Sequence, residues 1–227
     1  MNHPNTLLKN SREAAITSNP TEYYAGTRQE LRPFIPSQYS RVLEVGCGNG
    51  GFRKNLSPKA EVWGIEPVLE TSKLSEKVLD RVIVGTFEDA AESLPNNFFD
   101  LVICNDVIEH MANDAAFLRD IQQKMTPDGV LMGSVPNMRY WPVLKALLIR
   151  KEWEYQNEGV LDRTHLRFYT IESFPKLLQS CGFEVLKFEG INRMPSSKKW
   201  LARRFFRLPL FNDCRHMQFA FTARKIS

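Results

Sequence analysis

Short runs rich in valine and isoleucine alternate with amphipathic stretches along most of this 227-residue chain. Each apolar run has the length of a buried strand, and each amphipathic stretch has the length of a helix. Strands joined by crossover helices form parallel sheets covered on both faces, so the pattern predicts an α/β fold with a doubly wound sheet. The predicted strands span 41–45, 61–65, 81–84, 100–104, 129–135, 183–188 and 217–222. The predicted helices span 22–33, 68–79, 111–125 and 171–180, the last of which is stopped by Gly182.

The composition is that of an ordinary globular domain. Hydrophobic residues make up 43% of the chain and charged residues 25%, with only 12 glycines and 13 prolines, which excludes a disordered or fibrous chain. We find no long apolar segment and no secretory leader, and therefore expect a cytoplasmic protein. The four cysteines are scattered without a CxxC pair, so we expect reduced thiols rather than disulfides or a zinc site.

Charge is distributed unevenly along the chain. Residues 193–227 carry nine lysines and arginines against the single Asp213, whereas the residues before them carry 21 basic and 25 acidic side chains. Within this basic tail, the spacing over 196–208 predicts a basic amphipathic helix. The helix has two interpretations: it packs on the core with a solvated basic face, or it contacts an anionic lipid, a membrane surface or a phosphorylated substrate.

The strongest local motif follows the first predicted strand. Residues 42–51 read VLEVGCGNGG, in which Gly46, Gly48 and Gly51 have the G-x-G-x-x-G spacing of a nucleotide-binding turn. Glu66 lies twenty residues after Gly46, at the end of the second predicted strand, where its carboxylate can accept hydrogen bonds from both ribose hydroxyls. Together these residues predict a site for a cofactor that contains adenosine.

Glu44 distinguishes between two kinds of cofactor. A carboxylate two residues before the first glycine is unfavourable beside a pyrophosphate, but it suits a ligand that carries an ammonium group and a cationic sulfur. An acid followed by Gly-x-Gly-x-Gly, here Glu44, Gly46, Gly48 and Gly50, resembles the motif of the class I S-adenosylmethionine-dependent methyltransferases. The resemblance implies that the cofactor is S-adenosyl-L-methionine.

The same resemblance implies a more detailed fold and site. The fold is a Rossmann-like, doubly wound, seven-stranded sheet whose last strand, 217–222, inserts antiparallel beside strand 183–188. Residues 86–89, TFED, resemble the adenine-binding turn, with Phe87 against the ring and either Glu88 or Asp89 near the exocyclic amine. The implied cofactor-binding residues are Glu44, Gly46, Cys47, Gly48, Gly50, Glu66, Pro67, Phe87, Glu88 and Asn105.

Residues 136–169 form a long aromatic and charged insertion after the fifth predicted strand, and we expect it to cap the ligand crevice. The stretch 152–170 resembles a bacterial group of methyltransferase domains associated with glycan or secondary-metabolite pathways, and more distantly the ubiquinone O-methyltransferases. We therefore expect an N-terminal extension over 1–21 and one methyltransferase domain over 22–227. Four aromatic residues of the insertion either line an acceptor pocket or pack it onto the domain: Trp141, Trp153, Tyr155 and Phe168.

Two histidines are candidates for a catalytic base. His110 follows the fourth strand, where methyl transfer is expected, and His165 lies in the insertion; each also has a purely structural interpretation. No metal is expected, because Asp106, Glu109 and His110 are close in sequence with diverging side chains and no second cluster is evident. The expected acceptor is an oxygen or nitrogen of a small-molecule, glycan or lipid-linked compound.

Three other functions compete with this interpretation. One is a nucleotide-dependent oxidoreductase, which Glu44 opposes. Another is a methyltransferase-like binding or regulatory protein without turnover. Nucleic acid is not expected as a partner, because residues 135–137 read VPN instead of the Asn/Asp-Pro-Pro-Tyr/Phe signature of amino-methylating enzymes.

Overall fold

The computed structural model describes residues 27–194, 204 and 206–226. Its strands are β1 Arg41–Val45, β2 Glu61–Glu66, β3 Arg81–Val84, β4 Phe99–Asn105, β5 Met125–Pro136, β6 Phe183–Arg193 and β7 His216–Lys225. Within the described ranges these seven strands form one sheet in the order β3-β2-β1-β4-β5-β7-β6. Strands β1 to β5 pair in parallel, whereas β7 runs antiparallel to both β5 and β6. The predicted α/β sheet with an inserted antiparallel last strand is confirmed.

Helices and helical turns connect the strands. The α-helices are α1 Leu69–Ser75, α2 Phe87–Ala90, α3 Asp114–Lys124, α4 Trp141–Lys145 and α5 Ser173–Ser180. Short 3-10 helices lie at Gln29–Phe34, Gly51–Asn55, Ala91–Ser93, Ile108–His110 and Asp213–Arg215, and the π-helical turn Ala146–Arg150 continues α4.

The predicted helix over 22–33 is wrong in its described part. Arg28 has φ 47° and ψ 46°, a left-handed conformation that interrupts any right-handed helix. Only the 3-10 helix Gln29–Phe34 follows it. The helices α1, α3 and α5 confirm the other three predictions with shorter bounds, and Gly182 takes the expected left-handed φ of 79° after α5.

The central strands are buried on both faces, which explains their continuous apolar sequences. In β1, Val42 and Leu43 have no exposed surface and point to opposite sides of the sheet. Val42 belongs to the core cluster that contains Phe52, and Leu43 to the cluster that contains Phe99 and Phe117. Two apolar layers therefore hold the parallel strands between them.

The strand order determines where a ligand can bind. Successive crossovers turn in opposite directions at β1 and β4, which creates a crevice at the carboxyl ends of the strands. The insertion leaves β5 at this edge, and a bridge between Asn137 and Tyr169 joins its two ends. The insertion therefore begins and ends beside the crevice.

Some predictions fall on residues outside the described ranges. The extension 1–21 and most of the helix predicted over 196–208 are among them. Residues 206–212 form turns, so the helix does not continue to its predicted end, and Leu208 is exposed. Among the described helices, none has both the length and the apolar character needed to cross a bilayer.

Candidate active site

The glycine loop after β1 requires glycine for two physical reasons. Gly46, Gly48 and Gly50 have φ values of 69°, 55° and 77°, a region that other residues rarely adopt. A Cβ on Gly46 would lie 2.9 Å from Cγ2 of Val107, and one on Gly50 would lie 2.4 Å from Cγ2 of Val78. The loop therefore has no side chains at these three positions, which lie at the carboxyl edge of the sheet, as in a phosphate- or nucleoside-binding turn.

Glu66 ties the end of β2 to this loop. Its Oε2 accepts a hydrogen bond from the backbone N–H of Gly48 at 2.9 Å, and its Oε1 accepts one from Val68 at 2.9 Å. An ionised carboxylate has about four acceptor positions, so two backbone bonds orient Glu66 without exhausting its capacity. Pro67, the next predicted contact, is exposed beside it.

Glu44 is a carboxyl group buried next to the loop. Its side chain belongs to a residue only 3% exposed, and its Oε2 has no hydrogen-bond partner among the described residues. Burial, and then the charge of Glu66, raise the pKa of Glu44 to about 8. Such a group is stabilised by a cationic ligand, so the residues present fit a cofactor with an ammonium group.

Asn105 and Cys47 are the predicted contacts at the ends of the neighbouring strands β4 and β1. Asn105 ends β4, and its buried Oδ1 has no hydrogen-bond partner within the described part of the chain. Cys47 is buried below the loop, where its Sγ would lie 2.6 Å from a Cβ on Gly64. Burial raises the pKa of the Cys47 thiol, so this side chain is a packing group rather than a nucleophile. All four cysteines are free thiols, as expected.

The predicted adenine turn forms the start of α2. Thr86 and Asp89 form a reciprocal capping box, so the carboxylate of Asp89 already accepts hydrogen bonds from Thr86. Glu88 is exposed and forms no hydrogen bond with the described residues, which favours it over Asp89 for a ligand contact. Phe87 is buried edge-to-face on Phe117, with 4.9 Å between ring centroids. Its contact with an adenine ring stays a prediction.

A polar network that the sequence did not reveal closes the edge of β4, β5 and β7. Asp106, with φ 55°, accepts hydrogen bonds from Arg28, from Ser134 Oγ at 2.8 Å and from Gln218 Nε2 at 2.7 Å. Arg28 also pairs with Glu30 at 2.6 Å. No sequence pattern connects these residues, which lie up to 190 positions apart.

The rings of the two candidate histidines, His110 and His165, are in edge-to-face contact. Their ring centroids are 4.8 Å apart, and the ligand atoms of Glu109, His110 and His165 all lie within 4.8 Å of one another. The expectation of diverging side chains is therefore wrong, because the insertion returns His165 to the turn after β4. Both carboxylate oxygens of Glu109 are buried without a hydrogen-bond partner among the described residues, and burial raises its pKa well above the ordinary value.

The sequence gives little indication that Glu109 lies at the contact between the turn after β4 and the insertion. The only available signal was an acid directly before His110 at the end of a buried strand, and its meaning depends on a contact with the insertion. The backbone N–H groups of Leu166 and Arg167 donate to the carbonyl of Glu109 at 2.8 and 3.0 Å. The insertion is thus joined by main-chain bonds to the turn after β4.

The aromatic residues of the insertion divide into two groups. Trp153 contacts Tyr155 and Phe168 with centroid distances of 6.3 and 6.2 Å, and all three are more than a third exposed. Trp141 instead packs edge-to-face on the buried Phe206 at 5.7 Å. Packing of the insertion explains Trp141, whereas the exposed group leaves the acceptor-pocket interpretation open.

Sequence comparison identifies relatives over about three quarters of the chain. A family model described as a methyltransferase domain matches residues 16–187. The mitochondrial ubiquinone biosynthesis O-methyltransferase of Rattus norvegicus is 28% identical over 180 residues, which cover 74% of this chain and 51% of that protein. The ubiquinone biosynthesis O-methyltransferase of Azorhizobium caulinodans is 25% identical over 180 residues, covering 75% and 69%. The chain thus spans about half the length of the mitochondrial relative.

Solved structures share the fold. A SAM-dependent methyltransferase from Archaeoglobus fulgidus matches with a TM-score of 0.62 at 21% identity, covering 90% of this chain and 97% of that one. The 1,6-didemethyltoxoflavin-N1-methyltransferase of Burkholderia thailandensis, solved with 1,6-didemethyltoxoflavin and S-adenosylhomocysteine bound, matches with a TM-score of 0.65 at 16% identity, covering 100% and 92%. Together with the glycine loop and the strand order, the family match means that this chain belongs to the class I S-adenosylmethionine-dependent methyltransferases.

Proposed function

We propose that the protein transfers the methyl group of S-adenosylmethionine to an oxygen of a small-molecule acceptor. The observation that carries the proposal is the buried, incompletely hydrogen-bonded Glu44 beside a glycine loop that Glu66 orients. Two relatives named as O-methyltransferases of ubiquinone biosynthesis support oxygen as the acceptor atom. A phenolic hydroxyl is therefore the first acceptor to test, and a glycan or lipid-linked hydroxyl is the next.

Each predicted residue would contact a different part of the cofactor. Ionised Glu44 would hold the ammonium group, and Glu66 would accept the ribose hydroxyls with the acceptor positions that its backbone bonds leave. Glu88 would meet the adenine amine, with the buried Phe87 supporting the ring from below. Asn105 Oδ1 and the bare backbone at Gly46, Gly48 and Gly50 complete the cradle.

The cofactor supplies a methyl group already activated by a positive sulfur, so the chain has two remaining tasks. The first is to hold the acceptor in line, which is worth about 7 to 11 kcal/mol of the barrier in well-oriented reactions. The insertion performs it, because its main-chain bonds to Glu109 fix residues 164–167 over the edge of the sheet. The second task is to take the proton of the acceptor hydroxyl.

The hydrogen bonds of His110 prepare it for that second task. Its Nδ1 lies 3.1 Å from the carbonyl oxygen of Thr164 and 3.2 Å from the Thr164 hydroxyl, whose own hydrogen goes to Asp162 at 2.6 Å. Because both neighbours of Nδ1 must then accept, the ring carries its proton there and has its lone pair on Nε2. His165 is held in the same way by Val160, at 3.1 Å.

Calorimetric titration with S-adenosylmethionine, S-adenosylhomocysteine and NAD tests the cofactor before any acceptor is chosen. We expect micromolar binding of the first two and none of NAD. Glu66→Gln should weaken binding at least about tenfold, the effect of losing charge-assisted hydrogen bonds, and Glu70→Gln, an exposed acid of α1, serves as the matched control. Binding of NAD alone would contradict the methyl-transfer proposal and favour the oxidoreductase interpretation.

An acceptor screen with labelled methyl groups then tests turnover, starting from phenols and catechols. His110→Asn should lower kcat about a hundredfold or more while the cofactor Kd stays unchanged. Cofactor binding without turnover on any hydroxyl or amine would instead support the binding or regulatory alternative. Transfer to nitrogen alone would contradict oxygen as the acceptor atom.

A further inference from the structure

We infer that the tip of the insertion is a contact surface for a second copy of this chain. The tip comprises residues 147–152, which read LLIRKE. It consists of the π-helical turn after Ala146 and the two residues that follow this turn. The inference goes beyond the proposed function and does not depend on methyl transfer.

Three consecutive apolar side chains of the tip are exposed to solvent. Leu147, Leu148 and Ile149 are 41%, 71% and 63% exposed. Among the described residues, Leu148 is the most exposed large apolar side chain and Ile149 is the third. Single exposed apolar residues are normal on a folded protein, whereas a continuous run of three indicates a surface that another molecule covers.

The packing of the insertion does not use these three side chains. Val143 of α4 packs in a small cluster with Val160 and Leu161. No residue of the π-helical turn that continues α4 is buried. The apolar character of the tip therefore points to a contact that the described part of the chain does not provide.

The backbone of the tip forms a closed turn. The N–H groups of Lys151 and Glu152 both donate to the carbonyl of Ala146, the second at 3.1 Å. Lys151 ends the turn in the left-handed conformation, with φ 59° and ψ 35°. Because hydrogen bonds fix the turn before any contact is made, docking on it costs little conformational entropy.

The charges around the tip favour a protein partner over a lipid surface. Residues 144–158 carry three basic and three acidic side chains, so their formal charges cancel. A helix that binds anionic lipids has an excess of lysine and arginine on its polar face, because the headgroups are negative. A protein surface that offers both signs of charge matches the tip better.

The charge pattern of the tip is also self-complementary. Arg150 Nε lies 2.8 Å from Glu152 Oε2, and the two side chains are 59% and 54% exposed. At a two-fold axis the same patch of both copies meets, so Arg150 of each copy can bind Glu152 of the other. The three apolar side chains would form the centre of this contact and the charged pairs its rim, which is the usual arrangement in protein interfaces.

A contact between two tips would hold the outer part of each insertion. Every residue from 147 to 159 is exposed. The returning part of the insertion is already fixed, because Leu166 and Arg167 bond to the turn after β4. A second copy would therefore restrict the segment of the insertion that the described residues bury least.

Sedimentation equilibrium of the whole chain tests the contact. We expect a species with twice the mass of one chain, whose share increases with protein concentration. Leu148→Asp should weaken the association at least about tenfold, because it buries a charge at the apolar centre. Leu186→Asp, at a half-exposed position on β6, is the matched control and should leave the association unchanged. A wild type that stays monomeric at every concentration would overturn the inference, as would a dimer that Leu148→Asp does not weaken.

Charge reversal tests the two-fold arrangement. Arg150→Glu should weaken the dimer, because it brings acidic side chains of both copies together. Combining it with Glu152→Arg should restore the association, since the pairs are then reversed in both copies. Arg224→Glu, in the exposed pair with Glu184, should leave the association unchanged. A double variant as weak as Arg150→Glu alone would contradict pairing across the axis.

A cysteine at the tip reports the contact directly. The four native cysteines are all buried, so Leu148→Cys adds an exposed thiol without an exposed competitor. Oxidation with diamide should link two copies of Leu148→Cys through a disulfide, whereas Leu186→Cys should stay monomeric on a denaturing gel. Equal linkage in both variants would mean that the disulfide forms by random collision, which would contradict the contact.

Vesicles of phosphatidylcholine, with and without phosphatidylglycerol, test the competing occupant. We expect the wild type to stay in the supernatant when either kind of vesicle is sedimented. Monomeric protein that sediments with vesicles, and loses this binding in Leu148→Asp, would show that lipid covers the tip and would overturn the inference. None of these experiments contains cofactor or acceptor, so their failure would leave the methyl-transfer proposal standing.

Discussion

At the scale of single residues, the site is built around carboxyl groups that the fold alone does not need. Glu44 and Glu109 are both nearly inaccessible, and each has at least one oxygen without a partner among the described residues. Burying such a group lowers the stability of the empty protein, so its presence indicates a binding function rather than a packing function. Glu44 lies on β1 and Glu109 in the turn after β4, and these two strands are neighbours in the sheet.

Glu44 makes the stability of the cofactor-free protein depend on pH. Its folded pKa of about 8 is above its ordinary value of 4.5, so the folded state prefers the protonated form. The stability that protonated Glu44 contributes to the free energy of unfolding is fully present below pH 4.5 and is lost as the pH rises toward 8. Urea unfolding between these limits should show wild type losing stability relative to Glu44→Gln as the pH rises. An identical pH dependence in both proteins would contradict the shifted pKa.

The same residue should give the opposite trend in binding. An ammonium group needs the ionised carboxylate, so cofactor affinity should increase with pH up to about 8 in the wild type. Glu44→Gln should bind at least about tenfold more weakly at pH 8 and lack this increase. Calorimetry at three pH values measures both effects.

Gly50 combines left-handed backbone with close packing, and a paired substitution separates the two. Gly50→Ala should cost the strain of φ 77° plus the clash with Val78, together about 2 to 4 kcal/mol. Gly159→Ala, at φ 84° with no atom within 4 Å, should cost only the strain, about 1 kcal/mol. Equal losses in urea unfolding would mean that packing around the loop is not tight.

At the scale of elements, the segments that carry the site are the ones that sequence patterns describe least. Periodicity predicted β1 and β3 with their observed bounds, because apolar burial alone defines them. It missed residues 125–128 at the start of β5, where Met125 pairs with Phe99 of β4, and residues 189–193 of β6, which are held by pairing with β7. It also missed the contact between the insertion and Glu109, since hydrogen bonds between residues more than fifty positions apart leave no local pattern.

Arg28 joins the start of the 3-10 helix Gln29–Phe34 to Asp106, which follows β4, and to Ser134 of β5 and Gln218 of β7. Arg28→Ala should destabilise the protein by about 2 kcal/mol, because it removes a half-buried charge-assisted bond and leaves Asp106 with one partner fewer. Arg224→Ala, which breaks an exposed pair with Glu184, should cost less than about 1 kcal/mol. Urea denaturation of both variants measures the difference, and a smaller loss for Arg28→Ala would show that the network is not cooperative.

At the scale of the whole molecule, the sequence predicted the fold, but it predicted the chemistry of the site only in part. The glycine loop, Glu44 and Glu66 are local motifs, and the structure brings them to one edge because parallel strands end there. Arg28, Ser134 and Gln218 join that edge through tertiary contacts alone. The insertion, which we propose to contact the acceptor, has a sequence without a simple period, and three of its aromatic side chains are more than a third exposed.

Cofactor binding should increase the free energy of unfolding of the entire domain. A cofactor that binds only the folded state at a hundred times its Kd adds about 2.7 kcal/mol to the free energy of unfolding. S-adenosylhomocysteine should therefore raise the melting temperature of the wild type by several degrees. Glu66→Gln should show a smaller increase, and equal increases in both would remove Glu66 from the site.

The position of β7 also has a consequence for the order of folding during synthesis. Among the described strands, β6 has only β7 as its neighbour in the sheet, yet β7 is the later of the two in the chain. When the ribosome has released β6, the open edge of β5 and the whole of β6 still lack hydrogen-bond partners. The growing chain therefore exposes one unpaired strand, β6, and one open strand edge, that of β5, until residues 216–225 emerge, and in this interval the nascent protein is most open to aggregation or chaperone capture.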